Sequence, residues 1–350
     1  MFSFLKKKQK INIEKLGVIE DPRTEEEKRK DFRTEEILTA FAPIEWEEKA
    51  ESDWRKYPVF NQNSSSSCVA QAVSKALGIE NYLEEGKFIQ FSARDVYTRR
   101  MNYPGEGMFF IDALNIGYKY GATVEQLMPS QSLPELSMNV SSDRTPLTEL
   151  IGKLGRGGNH LSFSPDIEKI ASIVEPTGKP VIIGVRFGPN EWFGKKIPQI
   201  ISGINPIYGH GICVTNATLY QGKKALIIED SAYYHAANEA VRIVTQDWFN
   251  AGRIVWAGYY EFLKNDGLQI QPKYQFMKNL KYGMTNDEDV KKLQECLAYL
   301  KLFPSNQQFT GNFYGITLKG VMAFQVLHGI TPASGLVGPV TRAELNELFA

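Results

Sequence analysis

Apolar residues follow two different periods along the chain, and the change between them predicts its elements. Residues 68–85 place Val69, Ala72, Val73, Ala76 and Leu77 on one helical face. Gly86 stands where a left-handed glycine ends a helix, although Gly78 inside the run costs about 1 kcal/mol relative to alanine. A second helical stretch follows in "GMFFIDALNIGYKYG".

Strand-like runs come later in the chain, in "PVIIGVRF", "GHGICVTNATLY", "KALIIEDSAYY" and "RIVWAGYYEF", and turn residues separate them. The stretch "GRGGNHLSFSP" is interpreted as a loop, with His160 at the surface. Helices followed by strands predict an α+β domain with a helical half and a sheet half.

The last 75 or so residues contain an internal echo. "DVKKLQECLAYL" (289–300) matches "GVMAFQVLHGI" (320–330), with Gln294 in register with Gln325. Each segment carries one apolar helical face. A third helix opens at "GPVTRAELNELF", where Pro339 occupies the first turn. We therefore expect a small all-α domain of three helices.

Charge and turn residues divide the chain into four parts. Residues 1–42 are charge-dense and poor in apolar residues, which predicts an extended arm or a short helix. Residues 43–263 hold the α+β domain. The stretch 264–275 is the predicted linker, and 276–350 hold the three-helix domain.

Composition narrows the partners and the compartment. Lys+Arg and Asp+Glu both number 40, so the zero net charge gives no general argument for a nucleic acid or an anionic membrane surface. Three widely spaced cysteines predict reduced thiols rather than a disulfide framework. We find no secretory signal, no stretch long enough for membrane insertion, and no HExxH or CxxC metal motif. We expect synthesis in a cytoplasm and no metal or other cofactor.

Candidate chemistry begins at "NQNSSSSC" (61–68). Ser66 or Ser67 is a good N-cap, and a thiol at the start of a helix meets its positive pole, which favours the thiolate. Cys68 is then either an activated nucleophile or a small buried residue of a core helix, which is the more usual role of a free cysteine.

A thiolate nucleophile needs a general base and a group that orients this base. Of the four histidines, His210 opens a strand-like run, and Asp230 follows the next run as an acceptor for its ring N–H. His328 belongs to the C-terminal domain. Gln62, six residues before Cys68, offers an amide N–H that, with the Cys68 backbone N–H, forms a candidate oxyanion hole.

Residues 43–262 resemble papain-family cysteine peptidases. "PVFNQNSSSSCV" (58–69) is similar to the family's "PVxNQGxCGSCW", and the interval from Cys68 to His210 is papain-like. The resemblance implies a two-lobed fold, with Cys68 as nucleophile, His210 as base, Gln62 as oxyanion donor and Asp230 in place of the usual asparagine. It also places Gly107 in the substrate cleft.

Departures from that family pattern are clear. "DSAYY" replaces "NSWG", so the tryptophan that shields the third catalytic position is absent there. Aspartate in place of asparagine adds a negative charge, which would raise the pKa of the imidazolium. The arm is far shorter than the usual inhibitory propeptide. The NlpC/P60 wall hydrolases also place Cys before His, but closer together and without the upstream glutamine.

Residues 280–348 are similar to the three-helix peptidoglycan-binding module, from Gly283 and Gln294 through Gly311 and Gln325 to Leu345. Most of these matches are core and turn positions, which specify the fold rather than a ligand. The resemblance implies peptidoglycan as a partner, and such tethering raises the local concentration on the wall.

The combined hypothesis is a cysteine peptidase that cleaves a peptide or protein substrate at a bacterial wall or in a virion, and that is bacterial or phage-encoded. The alternative keeps the papain-like fold without its chemistry, as a structural or adhesive protein that binds peptidoglycan.

Overall fold

A computed structural model describes residues 17–19, 24, 26, 42–154, 156–232, 240–261, 271–304 and 307–350. Most of the predicted arm (1–42) and residues 264–270 of the predicted linker lie outside this part of the chain. Two compact units are present, one of residues 1–143 and 155–262 and the other of residues 144–154 and 263–350. The stretch 144–154, which falls within the predicted peptidase segment, therefore packs with the C-terminal unit.

The first unit contains the predicted long helix. Helix α1 spans Cys68–Glu85, and its first thirteen residues are buried. Gly86 ends it with φ 69° and donates its N–H to the Tyr82 carbonyl, as predicted. Gly78 has a packing reason, because a Cβ there would lie 2.6 Å from the Ile89 carbonyl oxygen.

The remaining helices of this unit are short. They are α2 (Ala93–Tyr97), α3 (Phe110–Lys119), α4 (Glu135–Met138), α6 (Ile167–Thr177) and α7 (Gln246–Asn250), after a 3-10 turn at Glu51–Asp53. Helix α5 (Pro146–Leu154) belongs to the other unit.

Six strands form one antiparallel sheet. They are β1 (His160–Phe163), β2 (Val181–Phe187), β3 (Tyr208–Tyr220), β4 (Lys223–Glu229), β5 (Val241–Thr245) and β6 (Ile254–Tyr260), in the order β1-β6-β2-β3-β4-β5. Four of them confirm predicted runs in whole or in part. Strand β1 corrects the loop interpretation of "GRGGNHLSFSP", because its residues pair with β6.

The apolar core explains the long buried strands. One cluster joins the buried face of α6, including Ile170 and Val174, to residues of the central strands such as Ile183 and Val214. Helix α1 packs against β3 on the other side of the unit. Strands β2, β3 and β4 are buried over most of their length because helices cover them. The arrangement fixes the start of α1 beside the start of β3.

The second unit contains the three predicted helices, α8 (Glu288–Tyr299), α9 (Gly315–Leu327) and α10 (Pro339–Phe349). Pro339 occupies the first turn of α10, as predicted. Asp287 caps α8 by accepting hydrogen bonds from the N–H groups of Asp289 and Val290. A search of the described helices found none with the length and apolar character that a membrane span requires.

Candidate active site

Cys68 is the first residue of α1, and its side chain is fully buried. As a first-turn residue, its backbone N–H has no acceptor within the helix. Ser67 is the N-cap, but its hydroxyl makes no capping hydrogen bond, which corrects that part of the prediction. Its Oγ instead lies 2.7 Å from the Ser65 Oγ. The Ser66 N–H donates to the buried Glu135 carboxylate at 2.7 Å, so the serine run is a fixed turn rather than a flexible linker.

His210 lies on β3, opposite Val185 of β2, and is fully buried. Its Nε2 is 2.6 Å from Oδ1 of Asp230. Burial alone would lower the pKa of His210, but the charges of Asp230 and Cys68 outweigh it and raise the pKa to about 10. Nδ1 makes no hydrogen bond within the described part of the chain. The imidazole thus contacts the Asp230 carboxylate through Nε2 and also interacts with the Cys68 thiol.

Asp230 follows β4, and its buried carboxylate accepts four hydrogen bonds. Oδ1 accepts from His210 and from the Ala232 N–H at 2.7 Å, while Oδ2 accepts from the indole of Trp192 at 2.7 Å and from Arg242 Nε at 2.9 Å. Burial would raise the pKa of Asp230, but His210 and Arg242 hold it well below its usual range. The carboxylate is therefore ionised and fixed in orientation.

Trp192 and Arg242 are absent from the sequence-based site. The "DSAYY" stretch lacks the expected tryptophan, yet the Trp192 indole, from the segment after β2, packs edge-on to His210 with ring centroids 6.4 Å apart. Nothing local in "FGPNEWFGKK" indicates this role. The sequence does give one indication of Arg242, because this residue is a single charge within the apolar strand run "VRIV".

The Gln62 side chain is buried and already engaged. Its Nε2 donates to the Ser65 carbonyl at 2.9 Å, and its Oε1 accepts from the Ser231 hydroxyl at 2.8 Å. An amide nitrogen carries two hydrogens, so one N–H of Gln62 has no acceptor among the described residues. Its role as oxyanion donor stays a prediction.

Residues 17–19 of the arm, which we call the strap, lie beside Gly107. The Met108 N–H donates to the Gly17 carbonyl at 2.8 Å, and Val18 forms a parallel bridge with Met108. A Cβ on Gly209, next to His210, would lie 3.1 Å from the Val18 side chain. A Cβ on Gly17 would overlap the Ser66 carbonyl. The strap therefore runs between the two sides of the site and helps to bury it.

The remaining candidate histidines lie elsewhere. His160 opens β1, where its Nε2 is 2.9 Å from the Asn115 side-chain oxygen. His328 pairs with Glu344 in the second unit at 2.5 Å. No group of three potential metal-binding side chains occurs among the described residues.

Solved structures of cysteine proteases are similar to this chain. Xylellain, a cysteine protease from Xylella fastidiosa, matches 75% of this chain and 100% of its own with a TM-score of 0.55 and 14% identity. ProCathepsin B S9 from Trypanosoma congolense matches 72% and 88% with a TM-score of 0.52 and 12% identity. The fold is that of the papain-like cysteine proteases. At this identity the likeness shows the papain-like fold alone, and no curated protein sequence matches the chain.

A second comparison concerns the C-terminal unit. Residues 286–345 match the family model described as a putative peptidoglycan binding domain. The echoed glutamines explain the repeat, because Gln294 accepts from the Gly311 N–H and donates to the Thr317 hydroxyl. Gln325 makes the equivalent bonds to Gly335 and Thr341. These matched residues hold the module's turns, as the sequence predicted for its core and turn positions.

Proposed function

We propose that the papain-like unit is a cysteine peptidase or amide hydrolase. The observation that carries the proposal is the placement of the His210 imidazole between the Asp230 carboxylate and the Cys68 thiol at the start of a buried helix. The three groups are far apart in the sequence and meet only in the fold, so the local structure around each residue does not explain why they lie together.

In this proposal His210 takes the Cys68 proton, and the thiolate attacks a peptide or amide carbonyl. The Cys68 backbone N–H, which has no intrahelical acceptor, and the uncommitted N–H of Gln62 receive the oxyanion. His210 then protonates the leaving amine, and water releases the acyl group from the sulfur. Asp230 keeps the imidazole in one orientation through its 2.6 Å contact.

We further propose that the C-terminal module brings this activity to peptidoglycan, at a bacterial wall or in a virion. The match to the peptidoglycan-binding family model supports this targeting. The substrate is then a wall peptide or a protein held near the wall. Sedimentation with purified sacculi tests the targeting, and a chain lacking residues 272–350 should stay in the supernatant.

The alternative is a papain-like scaffold without chemistry, and one observation favours it. Cys68 and His210 are both fully buried, with the strap lying against Gly107 and Gly209. A substrate reaches the thiol only after the strap moves.

We propose that the strap closes an otherwise competent site, so that the described structure is a latent form.

An active-site thiol probe separates these two functions. The chain without residues 1–19 should react with an E-64-type epoxide at Cys68, and the same chain with His210→Ala should not. It should also cleave a peptide substrate, either a wall fragment or a general protein. Equal, slow reactivity with and without His210, together with no hydrolysis, would establish the scaffold.

A further inference from the structure

Arg242 is a buried cation whose charge is balanced at the active site. Its side chain is 1% exposed, and the carboxylate it pairs with is Asp230, from Nε to Oδ2 at 2.9 Å. Its other nitrogens donate to uncharged acceptors, the carbonyls of Lys195 at 2.6 Å and of Ala232 at 3.3 Å. A buried guanidinium without a counterion is costly, so Asp230 and Arg242 depend on each other.

The two oxygens of Asp230 face different partners. Oδ1 faces His210 at 2.6 Å, and Oδ2 faces Arg242 and the Trp192 indole. A thiolate and an imidazolium at Cys68 and His210 sum to zero charge. An unbalanced aspartate would make the buried site negative and would hold the proton on His210 too tightly for the imidazolium to give it to the leaving amine. The guanidinium returns the sum to zero.

We propose that Arg242 is a positioning residue that offsets part of the charge of Asp230, so that the carboxylate orients His210 and holds its proton less tightly than an unpaired aspartate would. This inference rests on the proposed hydrolase function for its purpose, but not for its test.

Other groups near His210 do not supply this balance. Helix α1 contributes Cys68, and further along it Lys75, which is paired with Glu229 of β4 in a buried ion pair. Trp192 and Phe187 pack on the ring without a formal charge. The strap brings Val18 against Gly209. Apart from His210 itself, Arg242 is the cation that contacts the carboxylate of this site in the described part of the chain.

The test is a histidine NMR titration of the full-length protein, with the His210 signal assigned by its loss in His210→Ala. In Arg242→Gln the pKa of His210 should rise by about one pH unit or more, because the carboxylate is no longer balanced. In Asp230→Asn it should fall. The double variant should lie between the two and closer to the wild type than either, and Arg242→Lys, which keeps the charge, should stay near the wild type.

Two outcomes would overturn the proposal. One is an unchanged or lowered pKa of His210 in Arg242→Gln, which is expected if Arg242 only braces the Lys195 and Ala232 carbonyls. The other is a double variant that titrates like Asp230→Asn.

Should Arg242→Gln fail to fold, unfolding in urea still decides the question. Charge balance requires the double variant to be more stable than Asp230→Asn. If the double variant is no more stable than Asp230→Asn, the proposal is wrong. None of these measurements needs turnover. A wild type that hydrolyses nothing would defeat the proposed function while leaving this result intact.

Discussion

Replacing Gly17 with alanine tests whether the strap closes the site. A Cβ at Gly17 would overlap the Ser66 carbonyl, and the obstacle is backbone that the bond from Ser66 to Glu135 fixes. Overpacking of this kind costs about 1–3 kcal/mol. Alanine also reduces the freedom of the released arm, which favours the bound strap by about 0.4–1 kcal/mol. Because the overlap is with the Ser66 carbonyl oxygen itself, the steric cost falls in the upper part of its range, about 2–3 kcal/mol. Subtracting the full gain of about 1 kcal/mol leaves a net loosening of about 1–2 kcal/mol.

A tenfold change corresponds to about 1.4 kcal/mol, so the reactivity of Cys68 should rise about 5- to 30-fold in Gly17→Ala. The assay is iodoacetamide labelling, read by peptide mass spectrometry because Cys213 and Cys296 are also buried free thiols. Gly315→Ala is the matched control, since a Cβ there meets nothing within 4 Å.

Deletion of residues 1–19 should set the upper limit of the labelling rate. An unchanged rate in Gly17→Ala, with the deletion also unchanged, would refute the reasoning, because access to Cys68 would then not depend on the strap.

Three more predictions concern charge, the indole and the module. The folded-state pKa of His210 is raised from 6.5 to about 10, so its contribution to stability is present below pH 6.5 and is lost as the pH rises toward 10. The folded-state pKa of Asp230 is lowered from 3.8, so its contribution to stability is present above pH 3.8 and is lost as the pH falls below this value. Urea midpoints should therefore fall from pH 6 to pH 9, and a fall of equal size in His210→Ala would contradict this. Trp192→Phe removes the indole donor to Asp230 and should cost about 1–3 kcal/mol in urea unfolding, whereas a neutral result would mean that the indole N–H is dispensable. Gln294→Leu leaves the Gly311 N–H without its acceptor and should destabilise the C-terminal unit by about 1–3 kcal/mol, with the labelling of Cys68 unchanged as the control.

Sequence reasoning found the parts of the site that local patterns encode. Cys68 follows a recognisable turn and begins an amphipathic helix, and His210 and Asp230 stand at the start of one strand and just after the next. Antiparallel neighbours place such positions side by side, and Nε2 of His210 lies 2.6 Å from Oδ1 of Asp230.

The features that the sequence did not predict depend on the path of the loops in the fold. Trp192 reaches Asp230 across 38 positions, and the path of its segment is set by contacts that no period in the sequence records. The sequence did not indicate the position of Gly17 in the strap for a similar reason. Gly17 fits against Ser66 because it has no side chain, and a sequence pattern does not show this contact. The prediction that the Ser67 hydroxyl caps the helix was wrong because this hydroxyl hydrogen-bonds to the Ser65 hydroxyl instead.

The segment between β2 and β3 also protects the edge of the sheet. β5 lies at the end of the strand order, and its Ile243 N–H donates to the Lys196 carbonyl at 2.8 Å. The same segment supplies Trp192 and the Lys195 carbonyl to the Asp230–Arg242 pair. Shortening it would expose an unpaired strand to edge-to-edge aggregation and would remove hydrogen-bond partners of the Asp230–Arg242 pair in one step. The edge of the sheet and the buried Asp230–Arg242 pair thus depend on one connection, and both constrain its length.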